Sequence, residues 1–376
     1  MLDQFFSSLS FVDIFNFCVF LVFSVCYVYQ IFYVFVTLTK KPPQLTAKKN
    51  HRYAVIVAAR NENAVIGDLI HSIRVQNYPQ ELIDIFVVAD NCTDNTAAVA
   101  QEAGAIVFPR FNKEHIGKGY ALDYGFSFMR EAKYLSQARL TLGTSCAVSG
   151  TGFFISAKII DEMGGWKYHM LTEDIEFSTA SIVRGRRISY TPTAMLYDEQ
   201  PLTFRDSWNQ RFRWAKGFYQ VFFGYGGKLV KGIFTNPKGS RFACYDMLMT
   251  ICPAMLLTII TIAFNAIIAV LGVTGVMSTG VMITSSLSSI FFCLFNFTLF
   301  MFMFGALTTF TEWDNIHAPA RKKIFYMFTF PLFMITYIPI ALVALVKKAS
   351  WKPIQHSISV DVQEFAQANA KDADRI

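Results

Sequence analysis

The run Gln210-Arg211-Phe212-Arg213-Trp214 concentrates an amide, a fixed cation and an indole in one short stretch. Residues three and four apart on a helix share a face, so Gln210, Arg213 and Trp214 emerge together. Those groups suit an anionic leaving group beside a sugar ring: guanidinium for phosphate oxygens, amide for hydrogen bonds, indole for stacking. The same pattern also fits an interfacial helix whose arginine merely snorkels. Upstream, Leu171-Thr-Glu-Asp-Ile-Glu-Phe opens a helix, with Thr172 as N-cap and Glu173 and Asp174 in the first turn. Acids there match the helix dipole. Asp174 is also placed to act as a general base on an acceptor hydroxyl.

Three further stretches carry candidate groups. Asp90-Asn-Cys-Thr-Asp-Asn-Thr holds two carboxylates but lacks the Gly and closing Glu of an EF-hand, which argues against calcium. Asp90 suits hydrogen bonding to a nucleobase or ribose, and Asp94 suits capping of the next helix. His115-Ile-Gly-Lys-Gly-Tyr sets Lys118 between glycines, within reach of a phosphate but without Walker-loop spacing. Ser149-Gly150-Thr151-Gly152 reads as a tight turn or as a narrow wall where a substrate passes close to backbone.

The elements that must position these groups follow from hydrophobic pattern. Tyr53–Ala59 and Ile83–Ala89 read as buried strands, Ala105–Phe108 as a short third one, with helices over Ala64–Gln76 and Asp94–Ala103. Strand–helix–strand alternation implies a parallel sheet with ligands at the C-terminal ends of its strands, where Asn61, Glu62 and Asp90 fall. Gly152–Ser156 and Arg187–Thr191 read as further strands, and Asp174–Arg184 as a helix. Thr203–Gly224 reads as one helix. Its second stripe, Trp208, Phe212, Ala215, Tyr219 and Phe222, is apolar enough to lie on a membrane surface, and Gly217 is a modest cost.

At 376 residues, 53% hydrophobic and with 38 Phe, the chain is too apolar for a soluble protein and not apolar enough for membrane spans alone. Apolar runs at Phe11–Leu38, Leu248–Gly272, Leu287–Thr309 and Phe325–Val346 are long enough to cross a bilayer. The net charge of +7 clusters beside those runs, at Lys40, Lys41, Lys48, Lys49 and Arg52, at Lys228, Lys231, Lys238 and Arg241, and at Arg321–Lys323. Such placement marks the cytoplasmic side of a membrane and explains the charge better than nucleic acid does. The first run is read as a retained anchor, not a cleaved signal peptide. Four spans starting outside finish outside, yet Lys347 and Lys348 favour the cytoplasm; either the last run is re-entrant or the charge rule fails there. The seven Cys form no CxxC pair and read as small hydrophobes in a reducing compartment.

In this order the motifs resemble the membrane-embedded processive glycosyltransferases of family 2, the group of cellulose, hyaluronan and poly-N-acetylglucosamine synthases. The resemblance runs from about Arg52 to Trp214 and loosely through the apolar helices. It implies a GT-A-like (Rossmann-like) α/β domain, a UDP-sugar donor, a glycan or lipid acceptor and a β-linked polysaccharide product. By motif, Asp90 would bind the uridine, Lys118 would lie near the nucleotide, and Gly150, Thr151 and Gly152 would line the acceptor site. Glu173 and Asp174 match the family's TED, with Asp174 the base. Gln210, Arg213 and Trp214 match its QxxRW, which holds the diphosphate and stacks on the acceptor.

The departure is a missing block. The family carries an Asp-x-Asp strand between the Lys-Gly and Gly-Thr-Gly motifs, and that strand binds Mg2+ or Mn2+. Here Lys118 is followed almost at once by Tyr120-Ala-Leu-Asp-Tyr-Gly and then Gly143-Thr-Ser-Cys, with Asp123 the one acid near the junction. The expected chain therefore has an anchor at 1–40 and a transferase domain at 50–200, shortened near 122–130 and lacking a central strand. Interface helices follow at 201–245, membrane helices at 246–348 and a polar tail at 349–376. The usual metal ligands are absent, so weak or no turnover is expected.

Overall fold

The computed structural model describes residues 11–41, 43, 50–111, 133–148, 153–191, 201, 203–252, 254–274, 279–313, 316 and 318–349. The chain forms two compact units, one of Met1–Ile31 with Cys252–Lys348, the other of Phe32–Ile251 with Ala349–Ile376.

The second unit holds a parallel sheet of β1 (Tyr53–Ala59), β2 (Ile83–Asp90) and β3 (Ile106–Arg110), in that spatial order. Tyr53 pairs with Ile83, and Asp90 with Arg110, so all three strands point their C-terminal ends the same way. Alternation does the sorting: Ile83, Ile85 and Val87 drop into a core with Val55 and Ala59. That core is closed by Ile66 and Ile70 of α2 (Ile66–Arg74) and Ala100 of α3 (Thr96–Glu102). No strand among the described residues pairs with the other edge of β1.

Two expected strands are not strands. Among the described residues, 153–156 and 187–191 join no ladder. Near Ile188 the reason is visible. Its carbonyl accepts from the Cys146 N–H at 2.9 Å, but its own N–H donates to the Ser145 hydroxyl at 3.0 Å, so a side chain takes the bond a partner strand would make.

The rest of this unit is helical: α4 (Lys133–Leu142), α5 (Ala157–Met163), α6 (Glu173–Val183), α7 (Phe204–Thr235) and α8 (Lys238–Ile251). α6 is buried nearly all round. Ile175 and Ile182 face Val221 and Leu229 of α7 and Met247 of α8, while Phe177 and Ala180 face Val148, Trp166 and Tyr168. Two of its buried hydroxyls are satisfied locally: the Ser178 hydroxyl donates to the Asp174 carbonyl and accepts from the Val148 N–H, and the Thr179 hydroxyl donates to the Ile175 carbonyl. A bidentate pair, Arg139 of α4 with Asp246 of α8, is 2% exposed on both sides and takes a third bond from the Tyr33 hydroxyl of α1 (Phe11–Thr39).

In the first unit run α9 (Ala254–Val273), α10 (Thr279–Thr311), α11 (Ala320–Ile335) and α12 (Tyr337–Val346). Among the described residues, three stretches are long and apolar enough to cross a membrane, Phe11–Thr39, Ile283–Thr311 and Ala320–Val346. The fourth expected run, Leu248–Gly272, is not one helix. It divides at Cys252, where Pro253 disfavours helix in the preceding residue, into α8, which ends at Ile251, and α9, a 20-residue helix over Ala254–Val273. Asn16 of α1 donates to Asn265 of α9 and Ser289 of α10, and Asn265 donates back, so amides pin these three helices together.

Candidate active site

The N-terminus of α6 and the middle of α7 form one side of the site. Contacts between them fall once per turn along α7. The Arg213 guanidinium lies within the field of the Glu173 carboxylate. A Cβ added to Gly217 would stand 2.5 Å from Thr172 Cγ2, so the Thr172 side chain lies against the α7 backbone where only glycine leaves room. The Leu171 N–H donates to Gln220 Oε1 at 3.2 Å, and the Tyr225 hydroxyl donates to Glu176 Oε1 at 3.2 Å. Glu176 Oε2 accepts the N–H groups of His169 and Met170, both at 3.0 Å. The segment ahead of Glu173 and Asp174 is therefore held by α7 at several points.

Electrostatics follow from burial. Burial pulls the Arg213 guanidinium down, and the Glu173 charge pushes it back up, so the cation stays charged in a half-dry setting. Burial raises the Glu176 carboxyl against the backbone N–H groups and the phenol that favour its anion. Burial, then the Glu176 charge, push Tyr225 up to about 12, which keeps it a donor. Trp214 is 42% exposed, an indole face open to a ring. Gln210 is half-buried on the same helix.

Thr172 holds the N-cap position, but its hydroxyl makes no capping bond and has no hydrogen-bond partner among the described residues. Its contact with Gly217 decides its place instead. On α7 the capping expectation holds: Thr203 Oγ1 accepts from the Asp206 N–H at 3.1 Å. α7 also runs a further three turns past Gly224, to Thr235.

The other side lies at the strand ends. Asp90 closes β2, 3% exposed, and its Oδ1 accepts from the Arg110 guanidinium and from Asn91 Nδ2. Asn61 and Asn91, just past β1 and β2, both adopt left-handed backbone (φ 57° and 53°). The loops that follow are clasped together. Asn61 Oδ1 accepts the Thr93 N–H at 2.8 Å, the Glu62 N–H donates to the Thr96 hydroxyl at 2.8 Å, and Asn63 Nδ2 donates to Asn95 Oδ1 at 2.8 Å. Asp94 lies one residue before the Asn95 N-cap of α3, and its Oδ1 accepts the Thr96 N–H and hydroxyl. Glu62 follows β1 and Asp90 ends β2, so both lie at the C-terminal edge of the parallel sheet. Asp90 is bonded to Arg110 and Asn91, not to Glu173 or Arg213.

Arg110 and Gly217 were not singled out by sequence. β3 ends two residues beyond the expected Phe108, which is what brings Arg110 opposite Asp90; a basic residue closing a strand was the available signal. Lys118, Asp123, Gly150, Thr151 and Gly152 lie outside the described residues.

A divalent cation needs converging donors. Among the described residues no group of three or more His, Cys, Asp or Glu side chains is placed to hold one. Three of the carboxylates are engaged otherwise, Asp90 by Arg110, Asp94 by Thr96, and Glu176 by two amides and a phenol. These residues do not fit a bound Mg2+ or Mn2+.

The chain is 24% identical to a probable glycosyltransferase YdaM of Bacillus subtilis over 45% of its length and 56% of that protein's. It is 23% identical to a beta-monoglucosyldiacylglycerol synthase of Synechocystis (54% and 55%) and to a poly-beta-1,6-N-acetyl-D-glucosamine synthase of Staphylococcus aureus (65% and 71%). It thus spans little more than half the length of the first two. A mannosyltransferase from Pyrobaculum calidifontis, solved with GDP-Man and Mn2+, shares the fold at a TM-score of 0.53 and 15% identity, over 88% of this chain and 99% of that one. Residues 79–346, more than half of the sequence, match glycosyl transferase family group 2. The chain belongs to that family, with a GT-A-like fold.

Proposed function

We propose that the chain is a membrane-bound glycosyltransferase with its α/β unit in the cytoplasm, transferring a sugar from a UDP-sugar to a growing β-linked glycan. The observation that carries this reading is the close docking of the head of α6 on α7, which brings Glu173 into the field of Arg213 and leaves Trp214 open. Asp90 and Glu62 hold the nucleoside, Asp174 takes the proton from the acceptor hydroxyl, Arg213 and Gln210 receive the leaving diphosphate, and Trp214 stacks on the acceptor end. Basic clusters beside the long apolar helices support the multi-pass arrangement and the orientation.

Negative charge builds on the departing UDP, and a bound cation stabilises such charge by several kcal/mol. At about 1.4 kcal/mol per tenfold, a site relying on Arg213 alone runs slower by on the order of a thousandfold. The similarity to a glucosyldiacylglycerol synthase supports a second reading, single transfer to a lipid. UDP release by the purified chain in detergent, with UDP-glucose or UDP-N-acetylglucosamine and manganese, magnesium or EDTA, tests both. Expected are UDP binding and slow release that EDTA leaves unchanged and Arg213→Gln abolishes. Fast metal-dependent turnover would overturn the account of the site, and absence of UDP binding would overturn the function. Product length separates a polymer from a glycolipid.

A further inference from the structure

On the far side of α6 from its N-terminus, a cavity of about 300 Å3 opens among Lys167, Arg184, Arg186, Glu162, Tyr168 and Tyr225. Three cations face one carboxylate. Arg186 Nη2 donates to Glu162 Oε2 at 2.7 Å, but its Nη1 is buried with no hydrogen-bond partner among the described residues. Arg184 spends one donor on the Tyr168 hydroxyl at 2.9 Å. Lys167 is exposed and makes no recorded hydrogen bond or ion pair. The turn at Gly164 and Gly165, both with positive φ, folds the chain so that the Lys167 ammonium comes back to within 3.3 Å of where a Gly164 Cβ would be. A buried guanidinium N–H without an acceptor is costly unless something supplies one.

We propose that this cavity is an anion site for a phosphate-bearing ligand, distinct from the diphosphate position beside Arg213. Two guanidinium groups and an ammonium around a volume at the small end of ligand pockets suit a phosphate monoester or diphosphate, whose oxygens would take the unused donors. Tyr225 links the cavity to the acceptor side. It lines the wall and donates to Glu176, whose other oxygen holds the N–H groups of His169 and Met170 just ahead of Thr172. An occupant is thus one hydrogen bond from the segment that carries Asp174.

The test uses the full chain in neutral detergent, titrated calorimetrically with inorganic phosphate, and in parallel pelleted with phosphatidylcholine vesicles with or without phosphatidic acid. Lys167→Gln/Arg184→Gln alters two exposed side chains and leaves the core untouched. It should weaken binding by on the order of tenfold or more, as loss of charge-assisted bonds does. Lys158→Gln, an exposed charge away from the cavity, should bind as the parent does. Binding of phosphate in detergent that the double variant loses assigns a soluble ligand; binding of phosphatidic acid vesicles alone, lost in the double variant, assigns a lipid headgroup. Binding in neither arm, or parental affinity in the double variant, overturns the proposal. UDP release is read separately, so failure here leaves the transferase reading standing.

Discussion

Replacing Gly217 with alanine measures how tightly α6 and α7 are locked. The new Cβ would stand 2.5 Å from Thr172 Cγ2 and Oγ1 and 2.9 Å from its Cβ. Carbon atoms rest about 3.5–4.0 Å apart, so one helix must give by about 1 Å. Thr172 is buried at the head of α6 and is not the loose end of a flexible side chain. Gly227 lies on the same helix, and a Cβ there meets nothing within 4 Å. Alanine gains about 1 kcal/mol of helix propensity at either position, so the difference between the two variants isolates the clash. Overpacking of this kind costs about 1–3 kcal/mol. In thermal unfolding in detergent, Gly227→Ala should melt above the parent and Gly217→Ala several degrees below Gly227→Ala. UDP affinity should fall only for Gly217→Ala, since Arg213 sits one turn away. Equal gains in melting temperature would refute the close approach of the Thr172 side chain to the α7 backbone and with it the joining of the two motifs.

Trp214→Ala should leave the melting temperature within a degree or two, because the ring is already partly exposed, while abolishing acceptor-dependent UDP release; Phe212→Leu should spare both. Comparable losses from the two would reduce this helix to a packing element. Glu176 has a folded-state pKa raised by burial, so its contribution to stability is full below the ordinary glutamate range and is lost as pH rises through the folded value. Glu176→Gln should therefore gain melting temperature relative to the parent between pH 4 and 7; a relative loss over that range would contradict the assignment. Cys92 is half-buried and Cys146 buried, so Cys92 is the usable probe of orientation. It should resist an impermeant maleimide in intact cells and react after permeabilisation.

The sheet was legible because period-two alternation and strand–helix–strand order are local signals: β1 and β2 fall where the pattern places them. The strands read at Gly152–Ser156 and Arg187–Thr191 were wrong because a ladder is a long-range event. A short apolar run looks the same whether its N–H meets a strand or the Ser145 hydroxyl. The candidate site divides similarly. Arg213, Trp214, Glu173 and Asp90 announce themselves by type and spacing. Gly217 reads as a defect in a helix until its neighbour is known, and Arg110 acquires meaning only through its register with Asp90.

The Arg139–Asp246 pair constrains how this sequence can change. Each side chain is enclosed, and removing one strands the other's charge at a cost of about 3–5 kcal/mol, a large part of a typical domain's stability. Replacing both with apolar side chains of similar volume is commonly neutral or better. Descendants of this chain can therefore keep both or lose both, but the path between passes through an intermediate that folds poorly. The two positions are expected to vary as a unit among relatives, and a related sequence carrying only one of them should show a compensating change at Tyr33 or Thr250, the other hydroxyls bonded to the pair.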